Sequence, residues 1–145
     1  VTPSTKGRYG LRILIELAVR YGNGPVLAES VANAQGISAK YIRVLVGHLK
    51  NAGLVRVTRG PHGGIQLARP PDSITALEAV KALEGPILAV PCASEADKCA
   101  RAGSCAAQDL WLEASAAASR VFASRTLGDL ARREREYRDT LSYQI

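Results

Sequence analysis

The chain has 145 residues, of which 47% are hydrophobic, 22% charged and 5% aromatic: enough apolar material to bury the core of one domain, and too much for a disordered segment. Its longest apolar stretch, Leu11 to Val19, is broken by Arg12 and Glu16 and falls short of the roughly 20 residues that span a bilayer; with no secretory leader at its start, the expectation is a cytoplasmic protein with no membrane partner. Charge is unevenly placed, with ten Lys/Arg against two acidic residues over 1–71 and nine against eleven over 72–145.

Residues 5–21 predict a helix, because Leu11, Leu14, Ile15, Ala18 and Val19 recur at helical spacing until Gly22-Asn-Gly-Pro25 ends the pattern. Ile13 and Leu17 widen its apolar surface, as if several neighbours cover it. A second helix is expected over 27–34, stopped by Gln35-Gly36. A third starts at Ser38, a good N-cap, and runs to Ala52, with Gly53 as its stop. In it Ile42, Leu45, Val46 and Leu49 form a packing stripe, while Lys40, Arg43, Val44, Gly47, Lys50 and Asn51 form the opposite face. A helix with one face in a core and one cationic face suits the DNA major groove. Two strands, 54–58 and 65–69, flank Arg59-Gly-Pro-His-Gly-Gly64 and predict a hairpin whose tip presents Arg59 and His62.

Together these elements predict a winged helix-turn-helix over residues 1–71. No acidic residue lies between Ser30 and Pro71, whereas Lys40, Arg43, Lys50, Arg56, Arg59 and Arg69 do. That one-sidedness marks a polyanion-binding surface; the plainer alternative is a solvated basic face.

Pro70-Pro71 breaks the chain, and a short amphipathic helix is expected over 74–83. Cys92, Cys99 and Cys105 follow, the only cysteines of the chain, all within fourteen residues. An odd number of clustered thiols suggests a metal, a cluster or a redox switch rather than a disulfide framework. An alanine-rich helix is expected from about 107 to 123, with Leu110, Trp111, Ala114, Ala117, Ala118 and Val121 on its apolar side. A second copy of the chain is the expected cover for that side, since two-fold symmetry matches a palindromic operator; a hairpin folded back within one chain is the alternative. Residues 127–141, dense in Arg and Glu, read as a solvated final helix. The fold class expected is mainly α with a small β-hairpin wing, and residues 72–145 form a sensor loop and dimerisation helices.

Several segments carry a resemblance: Ser4-Thr-Lys-Gly-Arg-Tyr-Gly-Leu-Arg12, Ile37-Ser-Ala-Lys-Tyr-Ile42, Leu49-Lys-Asn-Ala-Gly-Leu-Val55, the wing Arg59-Gly-Pro-His-Gly-Gly64, Leu110-Trp111 and Thr126-Leu-Gly-Asp-Leu130. Over nearly its whole length the chain resembles the winged-helix bacterial regulators that include the iron–sulfur cluster regulator IscR, the nitric-oxide-sensing repressor NsrR and the iron-responsive regulator RirA. The resemblance implies a dimer that crosses long C-terminal helices. It also implies a [2Fe–2S] or [4Fe–4S] cluster on Cys92-x6-Cys99-x5-Cys105, with cluster state setting DNA affinity. Two departures concern the fourth ligand. Gln108 stands where [2Fe–2S] members carry a histidine, and Arg8 stands where the nitric-oxide sensors offer an aspartate from the partner. Asp109, Asp97, Glu95, a water or a small thiol are the substitutes left open. Arg43 replaces a glutamate that tunes base preference in some relatives.

Three thiolates at short spacing suit one face of an Fe–S cluster. Lys98, Arg101 and the N-terminus of the helix after Cys105 are expected to favour the thiolate form. A zinc site is the weaker metal reading, because short C-x2–4-C pairs are absent; a thiol/disulfide switch and inert cysteines complete the alternatives. Among the basic residues, Lys40 and Arg43 are candidates for base edges, and Ser38, Lys50 and Arg56 for phosphates. Arg59, with His62, is the minor-groove candidate. Tyr41, in the same recognition-helix motif, joins this set. Enzymatic function is excluded: His48 and His62 are the only histidines, and no nucleophile–base, metalloprotease, P-loop or dinucleotide motif occurs. The function expected is a dimeric DNA-binding repressor that senses iron, nitric oxide or redox state. The alternatives are a cluster-free regulator of the same fold, controlled by thiol oxidation, a small molecule or a protein partner, and a winged-helix module that binds protein.

Overall fold

A computed structural model describes residues 2–95 and 99–144 of the chain. Helix α1, Thr5–Val19, begins where the Ser4 hydroxyl accepts a hydrogen bond from the Gly7 N–H at 2.9 Å. Ile13, Leu14, Leu17 and Ala18 are buried, and α1 is the central post of the fold. Against it pack α2 (Ala28–Gln35), α3 (Ala39–Asn51), α4 (Ala76–Glu84) and α7 (Leu127–Gln144). Close approach to α4 depends on Gly10, where an added Cβ would stand 2.4 Å from a Leu83 methyl carbon. The many-sided apolar surface read from Ile13 and Leu17 thus has its neighbours.

Helix α2 is one residue displaced from expectation. Leu27 is its N-cap and is exposed, and Gly36 closes it in the left-handed region at φ 64°. In α3 the stripe Ile42, Leu45, Val46 and Leu49 is buried as predicted. Strands β1 (Val55–Thr58) and β2 (Gly64–Leu67) pair antiparallel, from Val55 opposite Leu67 to Thr58 opposite Gly64. Val26, just ahead of α2, extends the sheet by exchanging two 2.8 Å backbone hydrogen bonds with Ile65, an edge that the sequence pattern did not indicate.

Reciprocal caps start the two C-terminal helices that touch the core. Thr75 and Glu78 form a capping box on α4, and the Thr126 and Asp129 side chains bond each other's backbone N–H at 3.1 and 2.9 Å at the head of α7. Helix α5 is one turn, Pro91–Ser94, and α6 runs Ala106–Ala123. The final helix departs from expectation. It is not simply solvated: Leu127, Gly128 and Ala131 are buried and α7 lies along α1. Helix α6 contacts α4 and α5 but leaves Leu110, Trp111, Leu112 and Val121 exposed, so the described residues of the chain do not fold back over them. Among the described residues no helix is long and apolar enough to cross a membrane.

Candidate nucleic-acid interface and sensor loop

The turn from α2 to α3 sets the outer face of α3. Ser38 caps the helix by accepting from the Tyr41 N–H at 3.2 Å, which leaves its O–H as a donor at the surface. Lys40, Arg43, Val44, Gly47 and Lys50 are exposed along one side. Tyr41 is half-buried because its ring meets Tyr9 of α1 edge-on, with centroids 6.1 Å apart. Arg43 is ion-paired with Glu29 of α2, a contact across the helix-turn-helix that the sequence did not reveal. Glu29's own backbone N–H and the charge of Arg43 hold that carboxyl below the usual carboxylate range. Arg69 is likewise engaged, by Glu78 at 2.8 Å. None of the described carboxylates pairs with Lys40, Lys50, Arg56 or Arg59.

The wing joins this face. Arg56 projects from β1 and is exposed, as are Arg59 and His62 in the turn. That turn needs glycine: a Cβ at Gly63 would lie 2.1 Å from the Thr58 carbonyl oxygen, closer than backbone atoms tolerate. Two cationic loci, the outer side of α3 and the wing tip, are therefore carried by rigid elements that share the buried residues Leu49, Leu54, Val55 and Ile65.

The three cysteines sit on three different pieces of chain. Cys92 is in α5, Cys99 in the loop that follows, and Cys105 is the N-cap residue of α6; all three are free and half-buried. Cys105 makes no side-chain capping hydrogen bond to the helix it precedes. Arg101 and Asp109 are exposed, while Lys98 and Asp97 lie outside the described residues. Gln108 is buried, with both ends of its amide bonded to backbone: Oε1 accepts from the Gly103 N–H at 2.8 Å and Nε2 donates to the Cys92 carbonyl at 2.9 Å. Among the described residues no three Cys, His, Asp or Glu side chains are gathered closely enough to hold one metal ion.

Comparison with known proteins adds the family. Residues 3–133 match the family model Rrf2, described as an iron-dependent transcriptional regulator. The chain belongs to the Rrf2 family. Its relatives are named as transcriptional regulators, a non-enzymatic role. The transcriptional regulator CymR of Bacillus subtilis is 43% identical over 128 residues, covering 88% of each chain. The solved structure of B. subtilis CymR, titled the global cysteine regulator, superposes with a TM-score of 0.77 at 42% identity over 90% of this chain and 96% of that one. The structure of T. potens IscR gives 0.76 at 31% identity, covering 94% and 90%. The winged-helix fold expected from the sequence is thus established.

One functional candidate of this Rrf2 regulator escaped sequence reading. Glu16 is fully buried on α1. One carboxylate oxygen is 2.8 Å from Arg20; the other meets Arg138 of α7 at 2.5 Å and Gln35 of α2 at 3.2 Å. Burial pushes this carboxyl up, but the hydrogen bonds and charges of Arg138 and Arg20 outweigh it and hold the group below the ordinary glutamate range. Arg135 adds a 2.9 Å bond to the Val19 carbonyl near the end of α1. Helix α1 and the final helix are therefore joined by an ionic contact that is buried at its carboxylate end.

Proposed function

We propose that this Rrf2 regulator binds a palindromic operator as a homodimer and represses transcription, with Cys92, Cys99 and Cys105 holding an Fe–S cluster that reports iron, nitric oxide or oxidants. The observation that carries the reading is the pairing of two features on one small chain: a cationic α3 face with its wing, and three half-buried thiols spread from α5 to the N-cap of α6, a helix that leaves apolar side chains exposed. Lys40 and Arg43 face base edges, with Tyr41 beside them; Ser38, Lys50 and Arg56 meet phosphates; Arg59, with His62, enters the minor groove. The exposed Leu110 and Val121, on one side of α6 with Trp111 at its margin, form the seam of the dimer.

The donor set suits a cluster better than a single ion. One zinc ion draws its thiolates to about 2.3 Å from one point, whereas a cluster spreads them over several irons and needs only soft sulfur donors. Gln108 is no candidate for the fourth ligand while its amide is engaged at both ends. A bound cluster supplies a redox-active, nitric-oxide-reactive iron centre. The protein's own part is to supply three half-buried thiols, one on α5, one on the loop that follows and one at the N-cap of α6.

Two variants test this reading. Cys99→Ala is expected to lose iron and sulfide after anaerobic reconstitution while keeping its helical circular dichroism; normal cluster content in that variant would overturn the three-thiolate site. Arg59→Ala is expected to weaken operator binding with the dimer intact, and unchanged affinity would remove the wing from the interface. A second reading, control by thiol oxidation without a cluster, draws support from the likeness to a protein titled the global cysteine regulator. It requires a protein that takes up no iron and whose DNA affinity follows the thiol–disulfide state.

A further inference from the structure

Gln108 is a buried polar side chain with a placement that neither DNA contact nor metal ligation uses. It is 7% exposed and stands in the first turn of α6, three residues after Cys105. Its two amide atoms are told apart by their partners: only oxygen can accept from the Gly103 N–H, and only nitrogen can donate to the Cys92 carbonyl. One side chain thereby ties the helix to both limbs of the cysteine loop, the α5 limb at Cys92 and the returning limb two residues ahead of Cys105. Gly103 has φ +86°, a left-handed conformation that only glycine adopts without strain, and from there it offers its N–H to Gln108.

We infer that Gln108 is a positioning residue for the sensor loop: it fixes the Cys92 limb and the Gly103–Cys105 limb against α6 before any metal or oxidant arrives. The inference rests on the reading of the three thiols as a sensor. It adds that their arrangement is set in part by the protein rather than by the ligand, because the backbone on either side of Cys99 is anchored to one helix turn. It also makes α6 responsive to the loop, since a displacement of Cys92 must break or drag a hydrogen bond made by that helix's own side chain.

The test uses the full-length, reduced, iron-free protein and two variants. Gln108→Leu keeps the volume and removes both bonds; Gln108→Glu keeps an acceptor for Gly103 and loses the donor to Cys92. The readouts are hydrogen exchange of the Gly103 amide by NMR and the iodoacetamide alkylation rate of each cysteine by mass spectrometry, followed by iron and sulfide uptake. For Gln108→Leu, Gly103 exchange and Cys92 alkylation are expected to rise about tenfold or more, and uptake to fall. For Gln108→Glu, Gly103 is expected to stay protected while Cys92 becomes reactive, a split that general loosening of the fold does not give. Wild-type rates at Gly103 and Cys92 in Gln108→Leu would overturn the inference. Should that variant not fold, a wild-type rate at Cys92 in Gln108→Glu would do so. Failure of the unmutated protein to take up iron would instead count against the cluster, leaving these iron-free readouts to decide the role of Gln108.

Discussion

Alanine at Lys40, Arg43 and Lys50 together is expected to lower operator affinity by about three orders of magnitude at physiological salt, with the dimer and its melting temperature unchanged. The size follows from the separate roles. A bidentate arginine–guanine pair discriminates by about 1–3 kcal/mol, each tenfold drop in affinity corresponds to about 1.4 kcal/mol, and in a two-fold dimer every substitution acts on both half-sites. The single variants should differ in kind. Arg43→Ala relaxes base preference at one position of each half-site. Lys50→Ala weakens binding to all sequences alike and flattens the log–log salt dependence by about 0.9 for each phosphate the side chain no longer neutralises. Arg43 must also give up or share Glu29 to reach a base. Glu29→Gln is therefore expected to raise affinity for non-operator DNA, and quantitative gel shifts over a salt series with operator and scrambled duplexes check all of these outcomes.

Glu16→Gln is the substitution expected to cost most in stability, about 2–3 kcal/mol, or about 5–10 °C in Tm. Glutamine fits the space, but its NH2 group faces guanidinium donors, and Arg138 and Arg20 lose their counter-charge in a site closed to water at the carboxylate end. The partners remain part-exposed, so the loss stays below that of a fully enclosed ion pair. The same ion pair sets a pH dependence. Because the folded protein holds the Glu16 carboxyl below its unfolded value, the stabilisation is complete above the unfolded pKa and disappears as pH falls through the lower, folded one. Thermal melts of the unmutated protein should lose stability on acidification through the carboxylate range, and Glu16→Gln should show a shallower loss over that range.

The local elements were legible because each is written in a short window. The α3 stripe at Ile42, Leu45, Val46 and Leu49 needs only helical periodicity, and the wing needs only Gly60, Pro61, Gly63 and Gly64 between two β-prone runs. What was not legible depends on interactions between distant segments. Glu16 reads as an interruption in an apolar run because its partner Arg138 is 122 positions away. Helix α7 reads as solvated because only Leu127, Gly128 and Ala131 mark its docked face among many charges, and much of its attachment to α1 is made by Arg135 and Arg138. In the site, the basic residues and the cysteines were visible by type and spacing. The engagement of Arg43 by Glu29 and of Gln108 by the loop backbone was not, since a polar side chain does not announce its partner. The Arg8 and Gln108 departures were readable as missing ligands, but only the fold revealed that Gln108 has a structural role of its own.

The most direct test is operator affinity at one fixed salt concentration, measured anaerobically on the reconstituted protein and on the same sample after iron chelation, with a palindromic duplex selected from a random pool. The expected result is iron and acid-labile sulfide in matched amounts, a dimer in both samples, and affinities that differ by about tenfold or more, the scale of an ordinary allosteric coupling. Equal affinities in the two samples, or a protein that takes up no iron at all, would contradict a cluster sensor on Cys92, Cys99 and Cys105.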